Sequence, residues 1–544
     1  MAERADWILI NATIHTVSSG VARAMALRDG RVMVVGEREL VKGYAGPRTR
    51  VTDLGGATVV PGLIDSHLHF EKLGMANLQL DFALKSKDET LDILAEAARA
   101  TATGKWLEGR GWNNALWPGG EYPTRHDLDR VSPSNPVFLK RACGHACWVN
   151  SLALAMAGVD RNTPDPPDGE IVRDETGEAT GILVEKAMAL VSRVIPPPGA
   201  AERKRAMVEA DRLCLAAGLT GIHDAGVDLE TIPLIEDLLK EDAVRVRLYE
   251  MLLWDVTGRN YLREARPVAS RFHDRLTVRC IKAIADGSLG TRSAAMLDGY
   301  SDRPDWSGVV NYSEEQVSEM ITSCLESGWQ LALHCIGDRA NRLFLDQYEE
   351  AAWARGLAGR PTGDSPRFRC EHAQVVAPGD IPRFASLGII PSMQPVHASS
   401  DMNMAESRVG AERVHGAYAW RSFLATGARI PAGSDAPVES PNPFWGIYAA
   451  VTRQDFNGNP PGGWYPEQRM SRQEALRAFT IDAAYAAFEE DLKGSFEPGK
   501  LADAVIIDRD IMTCPALEIR DTRVLGTISG GRMVYRSADL AVPE

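Results

Sequence analysis

The 544-residue chain is poor in cysteine, lacks any excess of positive charge and has no long apolar run. Its eight cysteines are scattered with no Cys-x-x-Cys pair. In a chain this long that argues against a disulfide framework and predicts reduced thiols in a cytoplasmic protein. The nearest pair, Cys143 and Cys147 around Gly144-His145-Ala146, has no second pair to complete a tetrahedral zinc set. A formal charge of -14 argues against a nucleic-acid or anionic-membrane partner. No stretch of roughly 18 uncharged apolar residues occurs, so no spanning helix is expected. Met1 to Asp6 carry no apolar core of the kind a secretory signal needs. With 44% hydrophobic and 25% charged residues, the composition is that of a large globular core with accessory domains.

Residues 7–60 alternate short β-rich runs (Trp7-Ile8-Leu9-Ile10, Arg31-Val32-Met33-Val34-Val35, Ala57-Thr58-Val59-Val60) with Gly and Asn turns. The same texture returns in Ala504-Val505-Ile506-Ile507 and Arg532-Met533-Val534-Tyr535. This predicts one sheet domain built together by the two ends, residues 1–60 and 493–544, with everything else inserted between. The middle repeats one grammar: an amphipathic helix, a glycine, a short apolar strand, then a polar residue. Its clearest copy starts at Ser313, with Gln316 three residues on as a capping box. Apolar residues at Val317, Met320, Ile321, Cys324 and Leu325 form one helical face, and Gly328 closes it. The run Trp329 to Leu333 then leads to His334. Other copies end helices at Gly218, Gly388 and Gly427, and their strands deliver His223, Gln394 and Asp435. Polar residues collected after many strands predict an α/β fold, a (β/α)₈ TIM barrel over 61–492. A doubly wound sheet is disfavoured because no Gly-rich phosphate turn follows the first strand. The stretch from about 72 to 200, rich in Trp, Pro and Gly, reads as a large insertion after the first barrel strand. One barrel strand is expected inside it, near Pro136-Val137-Phe138-Leu139, and the insertion is expected to lie over the catalytic mouth.

The chemistry starts at Val59-Val60-Pro61-Gly62-Leu63-Ile64-Asp65-Ser66-His67-Leu68-His69. An i, i+2 spacing on an extended segment points both imidazoles to one side, which suits a divalent transition metal. His334 and His372 follow other candidate strands, and Asp435 follows a third in Gly433-Ser434-Asp435-Ala436-Pro437. These residues are expected to bind metal jointly. Lys282 ends an apolar strand ahead of Asp286, and two readings stand. It is an ion-paired ammonium, or it is carboxylated by CO₂ to an anion able to bridge two metals. Two divalent ions among neutral imidazoles need neutralising. Asp435, a bridging hydroxide and a lysine carbamate bring the site to about +1, which still holds an oxyanion. With an unmodified Lys282 only one ion is comfortable.

Together, Pro61 to His69, Lys282 with Asp286-Gly287-Ser288-Leu289-Gly290, His334-Cys335-Ile336-Gly337-Asp338, Glu371-His372-Ala373 and Gly433 to Pro437 resemble the metal-dependent amidohydrolase superfamily. The branch it is most similar to contains N-substituted formamide deformylases. The likeness includes Gly144-His145 with Trp148-Val149-Asn150-Ser151, and the closing Gly494 to Asp503. The resemblance implies a distorted barrel with a composite β-sandwich built from both termini (1–60 and 493–544), in which His67, His69 and Asp435 hold the more buried metal and His334 and His372 the more exposed one. Carboxylated Lys282 would bridge the two, with zinc as the default metal. It further implies hydrolysis of an amide, formamide or N-acyl C–N bond of a small molecule by metal-activated hydroxide, Asp435 acting as general acid and base. His145 is expected to donate to the oxyanion. His223 is a candidate either for a supporting group behind the metal ligands or for a substrate contact, and Trp112 and His397 are candidate substrate-binding residues, with the tryptophans of the insertion suggesting an apolar substituent. Carbamate or ester hydrolysis would use the same site. A heterocycle deaminase fits less well, since no glutamate follows in Cys335-Ile336-Gly337-Asp338 and Lys282 would go unexplained. A non-catalytic binding protein is the remaining alternative. A homodimer is left open.

Overall fold

The computed structural model describes residues 3–356 and 366–540. They form two compact units, Met1–Leu73 with Ala210–Glu544, and Gly74–Glu209. No helix among the described residues is long and apolar enough to cross a membrane.

In the first unit, both ends of the chain meet in one eight-stranded sheet. Ala504–Ile507 pairs antiparallel with Thr58–Pro61, so the C-terminal strands add directly to the N-terminal ones. Trp7, Leu9, Val59, Ala504, Ile506 and Ile528 pack in one apolar cluster drawn from both ends.

Thr58–Pro61 runs on into the first strand of a barrel, Leu63–Leu68. Six more strands follow side by side, all parallel: Leu219–Val227, Arg247–Leu253, Leu276–Ile284, Gln330–Cys335, Arg369–His372 and Ile390–Ser392. The eighth position is an irregular segment around Ala432. It bridges Met393 in parallel, and the Ala432 carbonyl accepts from the Ser66 amide at 3.0 Å, joining last position to first. This is the TIM barrel expected from the repeating grammar. Gly433 permits the closure: a Cβ there would lie 2.5 Å from the His67 nitrogen and 2.7 Å from Asp65 Oδ1. The barrel is also tied to the composite sheet by a buried ion pair, Arg247 Nε to Asp503 Oδ2 at 2.7 Å and Nη2 to Oδ1 at 2.9 Å.

The helix Glu314–Ser327 forms as its sequence dictates. Ser313 and Gln316 make the reciprocal capping box, Val317, Met320, Ile321 and Cys324 are buried, and Gly328 ends it at φ +78°.

The second unit holds its own six-stranded sheet. Val137–Arg141, expected as a barrel strand, belongs to this sheet and pairs with Leu107–Trp112 and Ala146–Val149. The second barrel strand is instead Leu219–Val227. An apolar run announces a buried strand but not which sheet buries it.

Candidate metal centre

The first barrel strand delivers the His67 and His69 imidazoles to the same carboxylate. Asp435 Oδ1 lies 3.5 Å from His67 Nε2 and 3.2 Å from His69 Nε2. A direct charge-assisted N–H···O bond is about 2.7–2.9 Å long. Two ligands bound at ~2.1 Å to one tetrahedral ion stand about 3.4 Å apart. The observed spacing is longer than a direct bond and close to that separation, so these atoms could hold an ion. His67, His69 and Asp435 form one such group among the described residues, and His372, His397 and Asp435 form another, with ligand atoms within 4.8 Å of one another. His334 closes the ring of imidazoles: its centroid lies 4.4 Å from that of His372, which is 4.8 Å from that of His67.

Two of these imidazoles are each held by a partner of their own. His67 Nδ1 donates to Glu371 Oε2, both groups fully buried. Glu371 Oε1 in turn lies 2.7 Å from Arg369 Nε. Arg369 also donates to the Ser66 carbonyl at 2.6 Å and to Ser392 Oγ at 3.0 Å, and contacts His223 Nδ1 at 3.0 Å. His372 Nδ1 donates to Gln394 Oε1 at 2.7 Å. In both ligands this leaves Nε2 free to face an ion. Asp65 Oδ1 accepts from the amides of His67 and Ser434, each at 3.0 Å, so one carboxylate locks the strands carrying His67 and Asp435 together. Asp286 does the same for the His334 strand, accepting from the amides of Ile336 at 3.0 Å and Gly337 at 2.8 Å. His372 at φ +74° and Asp435 at φ +60° sit in the left-handed region, a strained backbone that non-glycine residues adopt where the surroundings enforce it.

Burial lowers the imidazoles: His67 to about 4 and His334 to about 3, each with the Lys282 charge helping, and His372 well below its ordinary value. The lowering favours the neutral imidazole, the form that binds metal. Burial pushes the Asp435 carboxyl up, but the imidazoles around it outweigh that and hold it well below the usual range. Glu371 is held down likewise by Arg369 and His67. Burial raises Asp65 and Asp286 to about 7 despite the amides they accept from.

Lys282 is the misfit. It is buried, its amine has no hydrogen-bond partner, and burial lowers its pKa. The plain alternative is an ion pair with Asp286 or another carboxylate. Asp286 is committed to backbone amides and lies near His334, 3.6 Å from its Nε2, while Glu371 and Asp435 favour the Lys282 charge from beyond direct contact. A buried amine without a hydrogen-bond partner is costly as it stands.

The remaining expected residues have different surroundings. His223 is fully buried, turned to Arg369 and 5.0 Å from the Tyr249 ring, so of its two expected roles it has the supporting one, behind Arg369 and Glu371, and not that of a substrate wall. Trp112 is also fully buried. It packs against Trp117 and Trp148 in the core of the second unit and donates to the Leu139 carbonyl at 2.8 Å, which leaves it no face for a ligand. His145 lies exposed in that unit, with Nδ1 2.9 Å from Glu185. His397 belongs to the centre: its Nε2 is 3.8 Å from Asp435 Oδ2 and its ring stacks at 6.2 Å on His372. Glu371 and Arg369, whose roles composition and spacing do not reveal, carry an i, i+2 signal of their own, two opposite charges on one face of a buried strand.

A closed parallel barrel with imidazoles and carboxylates gathered after its strands is the build of a hydrolase that uses metal. Residues 50–535 match the amidohydrolase family, and the chain belongs to that family; it is an enzyme, an amidohydrolase. It is 37% identical to the protein LONG AFTER FAR-RED 3 of Arabidopsis thaliana, over 98% of this chain and 92% of that one. To the N-substituted formamide deformylase of Arthrobacter pascens it is 30% identical, over 98% of this chain and 99% of the other. The crystal structure of a metal-dependent hydrolase from Pyrococcus furiosus superposes with a TM-score of 0.75 at 28% identity, covering 93% of this chain and all of that one.

Proposed function

We propose that the protein hydrolyses a carbon–nitrogen bond at an amide-type carbonyl of a small molecule, with formamides and other N-acyl amines as the first substrates to try. The observation that carries this reading is the meeting of His67 and His69 on one oxygen of Asp435 at ligand spacing. The Arthrobacter pascens relative, named an N-substituted formamide deformylase, supports the choice of bond.

His67, His69 and Asp435 would hold one divalent ion, and His334 and His372 a second. Lys282 would join them as a carbamate, a reading supported by its unpartnered buried amine. Zinc is the default metal. Bound there, such ions acidify water and polarise a carbonyl. The chain supplies the rest. Asp435, ionised in its ring of imidazoles, takes the proton from water as it attacks and delivers it to the departing amine nitrogen. Glu371 and Gln394 keep His67 and His372 in one tautomer throughout. A carboxylate suits Asp435's place because an imidazole there would add no negative charge to a centre crowded with cations.

The test is a panel of N-formyl, N-acyl and carbamate compounds, assayed with the metal-loaded enzyme, after chelation, and after reloading. Turnover of an amide that chelation abolishes and metal restores is the expected result, with Asp435→Asn lowering kcat by roughly 10²–10⁴. Full activity after chelation, or turnover of esters and carbamates alone, would overturn the reading.

A further inference from the structure

The two oxygens of Asp435 face two different sets of imidazoles. Oδ1 looks to His67 and His69, whereas Oδ2 lies 3.8 Å from His397 Nε2. That Nε2 is buried and has no hydrogen-bond partner. At 3.8 Å it is too far for a direct bond to the carboxylate and close to the ~3.4 Å that separates two ligands of one tetrahedral ion. Its ring runs nearly parallel to His372, 15° apart, and His372 Nδ1 is already committed to Gln394, so its Nε2 faces the same space.

One helix start builds this arrangement. Gln394 caps the helix Pro395–Arg413 and orients His372 through its side chain, and His397 follows three residues later on the first turn. A turn that delivers both the partner of one ligand and a second free imidazole reaches the centre from the seventh strand. None of the sequence motifs that place His67, His69, Lys282, His334, His372 and Asp435 includes this position.

We propose that His397 is a metal ligand. With His334 and His372 it would hold the second ion, while Asp435 stays on the first ion through Oδ1 and keeps Oδ2, the oxygen facing His397, for the proton it carries. This deepens the proposed function and rests on its premise that the centre binds metal.

Cobalt(II) titration of the metal-free full-length protein tests it, with stoichiometry from elemental analysis and ligand-field absorption recorded at each step. Wild type should take up two equivalents. His397→Ala and His397→Gln should take up one, or bind the second at least tenfold more weakly with an altered ligand-field band, while their thermal transitions stay cooperative. Two equivalents bound by both variants with wild-type affinity and spectrum would overturn the proposal, and a rise in KM alone would make His397 a substrate contact instead. A wild-type protein that takes only one ion also overturns it while leaving the hydrolase reading intact. No uptake by wild type sinks both.

Discussion

A histidine presents one nitrogen to a metal reliably only when the other is held, and the two ligands held here differ in what holds them. Gln394 is neutral; Glu371 is a buried anion kept ionised by Arg369 and by His67 itself. The strand Arg369–His372 explains how neighbours in sequence both reach the centre. Alternation turns Arg369 and Glu371 to one face, and His372 at φ +74° breaks the alternation and swings in beside them. That break is why Glu371 was legible only as part of a motif, whereas the ordinary i, i+2 geometry of His67 and His69 could be read directly. Glu371→Gln keeps the shape and removes the charge. It is expected to weaken metal binding 10–100-fold, about what loss of a ligand's orienting partner costs, as measured by titration of the metal-free protein. Affinity unchanged within twofold would mean that the Glu371–His67 bond orients nothing.

At the scale of single elements, legibility followed locality. The helix Glu314–Ser327 is specified by its own residues, from capping box to closing glycine, and formed over the expected span. Val137–Arg141 was recognisable as a strand, but its sheet is chosen by partners far along the chain, Leu107–Trp112 among them, and nothing local encodes that choice. The Trp112, Trp117 and Trp148 indoles could equally have lined a cleft or filled a core. The bonds that settle it run from their ring nitrogens to the carbonyls of Leu139, Lys85 and Thr124, contacts set by the folded sheet. Gly433 is the element whose role is invisible in sequence and decisive in the fold, because its missing side chain lets the eighth position approach the first. Gly433→Ala must push that segment away from His67 and Asp65. It is expected to lower stability by about 1–3 kcal/mol, the usual cost of overpacking, and to weaken metal binding with it. Ser313→Ala, which removes only a helix cap, should cost about 1 kcal/mol and leave metal affinity alone. Equal metal affinity in both variants, with denaturation midpoints measured alongside, would mean that barrel closure does not set the ligand geometry.

Over the whole molecule, two sets of buried groups pull the pH dependence of stability in opposite directions. The imidazoles of His67 and His334, lowered to about 4 and 3, contribute stability that is present above their unfolded value near 6.5 and lost as pH falls. Asp65 and Asp286, raised to about 7, and Asp482, raised to about 6, contribute stability that is present below about 4 and lost as pH rises through their folded values. Asp482 isolates the second set because it lies outside the metal centre. Burial raises it even though Arg477 and Arg429 stand 3.4 and 3.8 Å away and favour its charge. Those distances are too long for strong pairing, so desolvation prevails. Asp482→Asn removes the titration while nearly keeping the volume. Metal loss and histidine protonation affect variant and wild type alike and cancel in their difference. That difference, variant minus wild type, should therefore shift in the variant's favour by up to about 3 kcal/mol between pH 4 and pH 7, at roughly 1.4 kcal/mol per pKa unit. A difference that is constant across that range, measured by denaturant unfolding at each pH, would mean that the two arginines fully offset the burial of this carboxylate.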